Sequence, residues 1–345
     1  MTDLSIRVEG RAGRVTFTRP QALNALSYAM CKALDSALRA WADDPAVELV
    51  VIDAEGDRAF CAGGDIAELY AEGTRGNVAY GQQFWRDEYR MNARIGGYAK
   101  PIVTLIQGFC MGGGVGVACH ASHRIVGESA QVAMPECAIG LVPDVGGSAL
   151  LAAAPGRMGA YLAMTGTRMG PGDAIFAGFA DSFVPMAAWP DLIATLCATG
   201  DVGAVAQAAR PAPAARLPGL QPQVDRHFCQ ATLPLIRASL SAADSDFARD
   251  TLAALDRGAP LAVATALAMQ QALGPDPALK SALELEYRVT HRAQTDTDFL
   301  EGIRAMIIDK DRKPRWRHAR AEDVTDAELA ALLAPLGPET LTFEE

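Results

Sequence analysis

The sequence predicts a mixed α/β fold in which parallel strands alternate with helices. Two short, continuously apolar runs, residues 49–52 and 102–106, are typical of strands buried inside a parallel sheet. Each run is followed by a glycine-rich loop, at residues 60–66 and 110–116, and then by a helical pattern. Because crossovers between parallel strands are right-handed, this repeated order of strand, loop and helix indicates a right-handed, mostly parallel layer arrangement.

The N-terminal residues supply further elements of the same fold. Residues 4–19 alternate between apolar and polar around a turn at 10–13, which predicts a hairpin. Ser27 is expected to cap a helix that ends at residues 43–45, where two aspartates precede a proline. Residues 78–96 have the apolar spacing of a long helix.

The composition changes near residue 209, which divides the chain into regions. Residues 209–222 are rich in proline and are expected to be extended. Helical patterns follow at residues 225–238, 244–257, 261–273, 279–295 and 325–333, the last with Asp323 or Thr325 as its cap. We therefore predict a core domain of residues 1–208, a connection of residues 209–222 and a helical C-terminal region of residues 223–345.

Charge and cysteine content narrow the classes of partner and compartment. The chain has 345 residues and a net charge of −10, which argues against a nucleic acid held by broad phosphate contacts. Its 7 cysteines are scattered through apolar stretches and are interpreted as reduced thiols of a cytoplasmic protein. No signal-peptide pattern precedes the core, and the apolar runs are too interrupted to span a bilayer, so no membrane partner is expected.

Several common catalytic motifs are missing from the sequence. It contains no G-x-G-x-x-G after a strand, no phosphate-binding P-loop and no G-x-S-x-G nucleophile motif. His120 and His123 have the spacing of a metal-binding pair but no third ligand at a family spacing, so a structural role is favoured over a metal site. Cys61 has no neighbouring cation in the sequence, which favours a passive thiol.

Two glycine loops and two acids remain as the candidate chemistry. The loops around Gly64 and Gly113 offer backbone N–H groups, and a pair of such donors stabilises an oxyanion formed on an acyl carbonyl. Glu136 and Asp144 lie in apolar surroundings, where an ionised carboxylate is costly without a function or partners. Tight packing of helix on strand would explain the glycines of either loop alone. The two loops together with Glu136 favour chemistry on an acyl group.

Four motifs carry a resemblance to a known family. They are R-P-x-A-L-N-A-L from residue 19, F-C-A-G-G-D-I from 60, Q-G-x-x-M-G-G-G from 107 and A-M-P-E-x-x-I-G-x-x-P-D-x-G-G from 133. Over residues 6–184 the chain resembles the crotonase (enoyl-CoA hydratase/isomerase) superfamily. The resemblance implies a crotonase-like spiral of β-β-α units with an α-helical C-terminal region, binding of a CoA thioester, and no metal or redox cofactor.

The resemblance also assigns roles to the glycine loops. It implies that Gly64 and Gly113 supply the N–H groups of the oxyanion hole. Gly64, Asp65 and Ile66 are expected to line the path of CoA. Arg19 and Lys100 are candidates for contacts to the CoA phosphates, with a solvated surface role equally open.

The type of reaction is indicated by three acids and by a glycine at a position where the hydratases have a glutamate. By the resemblance, Glu136 is the catalytic glutamate, Asp144 contacts a 3-hydroxyl group of the acyl chain, and Glu88 is a further substrate-binding acid. The hydratases of this superfamily carry a second catalytic glutamate where this chain has Gly116. Hydration of a double bond needs two positioned carboxylates, so the glycine favours hydrolysis of the thioester.

These features lead to a functional expectation and to alternatives. The resemblance, which extends to the tail at residues 298–316, implies hydrolysis of a short-chain 3-hydroxyacyl-CoA thioester. 3-Hydroxyisobutyryl-CoA, an intermediate of valine catabolism, is the expected substrate. The alternatives are an enoyl-CoA hydratase or isomerase, a lyase or dehalogenase using the same oxyanion hole, and a non-catalytic acyl-CoA-binding protein. Glu136 argues against a non-catalytic protein, because a buried acid without a chemical function would only lower stability. A homo-oligomer is possible, and Glu136 is left open as nucleophile or general base.

Overall fold

The strands form two sheets in the computed structural model, which describes residues 3–343. In chain order the strands of these residues are β1 (Leu4–Glu9), β2 (Ala12–Phe17), β3 (Leu49–Ala54), β4 (Ala59–Cys61), β5 (Ile102–Ile106), β6 (Phe109–Met111), β7 (His123–Val126), β8 (Gln131–Ala133) and β9 (Ser182–Phe183). The six-stranded sheet has the order β1-β2-β3-β5-β7-β9, and the three-stranded sheet has the order β4-β6-β8.

Both sheets are mostly parallel, as predicted. β1 and β2 form the antiparallel hairpin, with Ile6 opposite Val15, and the pairs from β2 onwards in the large sheet are parallel. β4, β6 and β8 also pair in parallel. Each of β3, β5 and β7 is followed by one short strand of the second sheet, which gives the repeating β-β-α order of the predicted crotonase-like spiral. The predicted fold class is therefore confirmed.

Helices connect the strands and make up the C-terminal region. The first nine are α1 (Tyr28–Ala42), α2 (Ile66–Thr74), α3 (Val78–Gly96), α4 (Gly113–Ala118), α5 (Gly147–Ala153), α6 (Met158–Thr165), α7 (Pro171–Phe176), α8 (Trp189–Thr199) and α9 (Ala204–Ala208). The C-terminal ones are α10 (Leu217–Phe228), α11 (Leu233–Ser241), α12 (Asp246–Leu255), α13 (Pro260–Leu273), α14 (Leu279–Thr290), α15 (Ala293–Asp296), α16 (Phe299–Ile303) and α17 (Asp326–Leu333).

Local sequence signals correctly predicted where two helices, α1 and α17, begin. Ser27 caps α1, because its hydroxyl accepts a hydrogen bond from the N–H of Met30 at 3.2 Å. Thr325, one of the two caps expected for α17, accepts from the N–H of Glu328, whose side chain accepts in return from the N–H of Thr325. This reciprocal pair is a capping box.

Three predictions about the C-terminal region were wrong in detail. Helix α10 begins at Leu217, inside the segment expected to be extended, and it tolerates Pro222 because its apolar residues Val224 and Phe228 are buried. The helix predicted over residues 225–238 is divided into α10 and α11. Thr232 starts α11 with Pro234 in its first turn, where the missing N–H of proline is harmless. Likewise, the helix predicted over 279–295 is divided into α14 and α15.

The chain forms two compact units, neither of them contiguous in sequence. The first unit comprises the described residues of Met1–Gly64, Asp87–Ala133 and Arg168–Pro218. It contains both sheets, and its core joins apolar side chains of β3, β5 and β7 to Leu192 and Leu196 of α8.

The second unit comprises Asp65–Arg86, Met134–Thr167 and the described residues of Gly219–Glu345. Helix α13 is buried over most of its length and packs against α5 and α6. The grouping differs from the predicted division at residues 209–222, because residues 134–167 pack with the C-terminal helices.

A search of residues 3–343 for bilayer-spanning segments found no single helix of sufficient length and hydropathy. One pair of consecutive helices, Asp246–Leu255 and Pro260–Leu273, meets the length and hydropathy criteria only when the two helices are taken together. The chain bends by 109° at the break between them.

Candidate functional site

The first glycine loop is held in place by the segment that contains R-P-x-A-L-N-A-L. The buried Asn24 donates hydrogen bonds to the carbonyl oxygens of Ala59 and Glu55, at 2.9 and 3.0 Å. The N–H of Leu26 donates to the carbonyl oxygen of Gly63 at 2.8 Å. The motif therefore holds both ends of the segment that leads from β4 to Gly64. The amide group of Asn24 supplies two of these hydrogen bonds, which explains the asparagine after Leu23 in the motif.

The second glycine loop brings helix α4 directly onto strand β4. A Cβ atom at Gly114 would collide with the carbonyl oxygen of Cys61. Only glycine permits this close approach of helix to strand. Burial raises the pKa of the Cys61 thiol to about 12, which supports its interpretation as a passive thiol.

The structure brings Gly64, Gly113 and Glu88 together within the first unit. A Cβ atom built on Gly113 would lie 3.2 Å from the amide nitrogen of Gly64 and 2.9 Å from Oε1 of Glu88. Glu88 is carried by α3 and is buried. Three of the predicted site residues, from separate parts of the sequence, therefore meet at one place.

The amide groups of Gly64 and Gly113 are available as donors. Within residues 3–343 neither N–H group donates a hydrogen bond. Gly113 is the first residue of α4, where a helical N–H has no partner inside the helix. Two neighbouring unpaired N–H groups are what an oxyanion hole requires.

Asp65 and Ile66 belong to the start of α2 in the second unit. Asp65 occupies the N-cap position of α2, but its side chain accepts no capping hydrogen bond from the helix. Ile66 is the first helical residue and is half-buried. The expectation that the two residues line the CoA path stays a prediction.

Glu136 is a buried acid at the start of a one-turn 3₁₀-helix, Glu136–Ile139, in the second unit. Its Oε2 atom has no hydrogen-bond partner among the described residues. Burial, together with the nearby Asp144 and Glu286, holds the pKa of Glu136 well above its ordinary value. A buried carboxyl group with a raised pKa is typical of the acids that transfer protons in active sites.

Asp144 lies in the same unit, in a turn of unusual backbone conformation that leads into α5. The turn is closed by a hydrogen bond of 2.7 Å from the N–H of Gly147 to the carbonyl oxygen of Asp144. Val145 has φ +54° and Gly146 has φ +80°. A positive φ is strained for a β-branched residue such as Val145, so surrounding contacts must stabilise this turn.

Glu286 of α14 is a site residue that the sequence analysis missed. It is fully buried and accepts hydrogen bonds from the N–H groups of Gly146 and Ser148, at 2.7 and 3.0 Å, and from the hydroxyl of Ser148. Burial and the nearby Asp144 raise the pKa of Glu286 to about 8, although the hydrogen bonds oppose this rise. Its position on the buried face of α14, in helical register with Leu283 and Val289, was the signal available in the sequence.

The remaining candidates have structural contacts of their own. The Lys100 ammonium donates to the carbonyl oxygens of Trp41 and Asp44, at 2.5 and 2.7 Å. Arg19 donates to the carbonyl oxygen of Ala25 at 3.3 Å. In the part of the chain that the structure describes, no group of three His, Cys, Asp or Glu side chains, including His120 and His123, is arranged to hold a metal ion.

Comparisons with known proteins agree on one family. The family model described as Enoyl-CoA hydratase/isomerase matches residues 12–333. The chain is 37% identical over 340 residues to the mitochondrial 3-hydroxyisobutyryl-CoA hydrolase of Xenopus tropicalis, covering 95% of this chain and 88% of that protein.

Two solved structures are similar along almost the whole chain. A crystal structure of an enoyl-CoA hydratase from Rhodobacter sphaeroides 2.4.1 is 62% identical with a TM-score of 0.96, covering 99% of this chain and 100% of that one. A crystal structure of a carnitinyl-CoA dehydratase from Mycobacterium thermoresistibile is 37% identical with a TM-score of 0.95, covering 100% and 99%. The cytoplasmic location expected from the sequence stays a prediction.

Proposed function

Because the chain belongs to the enoyl-CoA hydratase/isomerase family, we propose that it is an acyl-CoA thioester hydrolase that acts on 3-hydroxyisobutyryl-CoA. A relative 37% identical over nearly the full length carries the name of this hydrolase. The function is hydrolytic: water and the thioester give a free carboxylic acid and CoA, without a redox cofactor.

The observation that carries the proposal is the distribution of acids. Gly116 lies buried within α4, at the position where the resemblance places the second catalytic glutamate of the hydratases. The chain instead has the buried acids Glu136 and Asp144 in its second unit. One reacting acid is sufficient for thioester hydrolysis. Addition of water to a double bond needs two positioned groups of the protein, a base that activates the water and an acid that protonates the substrate.

The mechanism uses the two groups of residues in different roles. The N–H groups of Gly64 and Gly113 stabilise the oxyanion that forms when the thioester carbonyl is attacked. Glu136 attacks that carbonyl or takes a proton from the water that attacks it. The carbon–sulfur bond then breaks, and CoA leaves as a thiolate that takes up a proton. If Glu136 is the nucleophile, water then hydrolyses the anhydride formed between the acyl group and Glu136, which restores the Glu136 carboxylate. By either route the acyl group ends as a carboxylic acid.

Asp144 provides selectivity in this proposal. Its carboxylate accepts a hydrogen bond from the 3-hydroxyl group of the acyl chain. An acyl group without this hydroxyl cannot form that hydrogen bond with the buried carboxylate, and a site built to bind a hydroxyl rejects such analogues strongly. Selectivity for 3-hydroxyacyl groups therefore follows from one buried carboxylate.

The test is release of free thiol from 3-hydroxyisobutyryl-CoA by the purified protein. Glu136→Gln is expected to lower kcat about 10²–10⁴-fold, because an amide neither attacks nor accepts the proton. Asp144→Ala is expected to lower kcat/KM for this substrate much more than for isobutyryl-CoA. Glu284→Gln makes the same chemical change as Glu136→Gln on the half-exposed side of α14 and should leave the rate unchanged. Thiol release by Glu136→Gln at the wild-type rate would contradict the mechanism.

Hydration of an enoyl-CoA is the second candidate, favoured by the name of the 62% identical solved structure. The same samples distinguish the two reactions. Loss of crotonyl-CoA absorbance without any free thiol would establish the hydratase and exclude the hydrolase. The lone reacting acid predicts the opposite result, thiol release with no hydration.

A further inference from the structure

We propose that Glu286 is a positioning residue that holds the Asp144 turn and thereby sets selectivity for the 3-hydroxyl group of the substrate. This inference rests on the proposed function, because it assigns to Glu286 control of the acid that binds the hydroxyl. It adds a residue to the site that lies far from Asp144 in sequence, on a different helix.

The contacts of Glu286 are concentrated on the residues that follow Asp144. Oε2 accepts from the N–H of Gly146 at 2.7 Å, and Oε1 accepts from the N–H of Ser148 at 3.0 Å and from its hydroxyl. Both carboxyl oxygens are therefore used on a segment only three residues long. Together with the hydrogen bond from the N–H of Gly147 to the carbonyl oxygen of Asp144, this side chain holds the segment in which the chain leaves Asp144 and enters α5.

The turn needs such a support because of its backbone conformation. Val145 and Gly146 both have positive φ angles, and a valine adopts that conformation only when its surroundings impose it. If the carboxyl group of Glu286 no longer bound Gly146 and Ser148, Val145 could relax to an ordinary φ. Asp144 is the next residue, so its carboxylate would change position.

Helix α14 is a rigid support for this contact. Glu286 has no exposed surface, and its neighbours Leu283 and Tyr287 are buried equally deeply. The helix packs against α5, which begins at Gly147, and against α13. A carboxyl group on a buried helix face holds its target more accurately than one on a loop.

Glu286 also interacts with the two acids electrostatically. Asp144 raises the pKa of Glu286, and Glu286 contributes to the raised pKa of Glu136. The three carboxyl groups therefore form one interacting set within the second unit. The hydrogen bonds of Glu286 go to the residues that follow Asp144, so the positional effect of a change at Glu286 falls on Asp144 rather than on Glu136.

The experiment compares two substrates in variants of Glu286. Kinetic constants are measured for 3-hydroxyisobutyryl-CoA and for isobutyryl-CoA, which lacks the hydroxyl. Glu286→Gln has one acceptor oxygen where the structure uses two, so one end of the turn is released. We expect the ratio of kcat/KM for the two substrates to fall about tenfold, mainly through KM for the hydroxylated one, while kcat for isobutyryl-CoA stays within about threefold.

Two further variants make the test decisive. Glu284→Gln, on the same helix and without a contact to the turn, should keep the wild-type ratio. Ser148→Ala removes the hydroxyl donor and keeps both N–H groups, so it should lower the ratio by a few-fold only. Equal losses for both substrates, or an unchanged ratio in Glu286→Gln, would overturn the positioning role. If Glu286→Gln does not fold, an unchanged ratio in Ser148→Ala contradicts it.

Failure of the proposed function has a different signature. Wild-type protein that releases no thiol from either substrate would show that the hydrolase assignment is wrong. An unchanged substrate ratio in Asp144→Ala would show that Asp144 does not bind the hydroxyl. Neither result depends on Glu286.

Discussion

At the scale of single residues, the absence of a side chain matters as much as its presence. Gly113 lies so close to Gly64 and Glu88 that even one methyl group would disturb both. The motifs predicted Gly64 and Gly113, and the family resemblance predicted Glu88. Their proximity depends on the fold, because Gly64 follows β4, Glu88 lies in α3 and Gly113 begins α4.

Gly113→Ala should therefore impair catalysis more than stability. Its Cβ would lie 2.9 Å from Oε1 of Glu88, at the end of a side chain, and 3.2 Å from the backbone nitrogen of Gly64, which must yield. Displacing one oxyanion donor is expected to lower kcat about 10²–10³-fold. Thiol release gives the rate, and thermal unfolding gives the stability.

Gly219→Ala is the control for this change, because no atom lies within 4 Å of its added Cβ. It should keep the wild-type rate, and its melting temperature should not fall, because Gly219 lies in α10 and alanine has the higher helix propensity. A Gly113→Ala protein with the wild-type kcat would contradict an oxyanion role for this loop.

Glu286 shows what single-residue reasoning misses. Glu136 and Asp144 were recognised because they stand in apolar segments beside glycines. In the segment L-E-L-E-Y, Glu284 and Glu286 alternate with apolar residues, and this pattern does not distinguish the half-exposed acid from the buried one. The helical spacing of Glu286 with Leu283 and Val289 was the only sequence signal of an inward position, and its burial depends on the packing of α14 on α5.

At the scale of elements, local chemistry predicted the ends of helices better than their continuity. Ser27 and Thr325 act as caps because their hydroxyl groups accept from N–H groups that lack helical partners. The break between α10 and α11 was missed, although Thr232 and Pro234 form a start signal of the same kind. The short strands β4, β6 and β8 were not predicted as a sheet, because three residues carry little periodicity and all their pairing is non-local.

The capping box of α17 should contribute measurable stability. Thr325→Ala removes the acceptor for the N–H of Glu328 and leaves the Glu328 side chain without its hydroxyl partner. The expected cost is about 1 kcal/mol in the free energy of unfolding, measured by urea denaturation. Ser281→Ala, at an exposed position inside α14, is the control and should cost nothing. Equal stability of Thr325→Ala and wild type would show that α17 does not unfold with the rest of the chain.

At the scale of the whole molecule, the units separate the two kinds of chemistry. The first unit contains the sheets, the two glycine N–H groups and Glu88. The second contains Glu136 and Asp144 on one segment and Glu286, more than a hundred residues further along the chain, on another. This grouping could not be read from composition, because residues 134–167 follow the sheet strands directly in sequence yet pack with the C-terminal helices.

Burying three interacting acids has a consequence for the whole molecule, namely a dependence of stability on pH. In the unfolded chain Glu286 loses its proton near its ordinary pKa of 4.5, whereas in the folded protein it keeps the proton up to about pH 8. Between these values the folded state binds more protons than the unfolded state. The free energy of unfolding therefore falls as the pH rises from 4.5 to 8, by at most about 1.4 kcal/mol per pH unit for this one group.

Glu286→Gln should remove that contribution, because glutamine does not titrate. Urea denaturation at pH 5, 6, 7 and 8 is expected to show that wild-type stability declines more steeply with pH than that of Glu286→Gln. Since the other ionisable groups are the same in both proteins, the difference between the two curves reports the buried carboxyl group of Glu286 and its effect on Glu136. Glu284→Gln should follow the wild-type curve. Parallel curves for Glu286→Gln and wild type would mean that Glu286 is already ionised in the folded protein at pH 5, stabilised by its hydrogen bonds from Gly146 and Ser148.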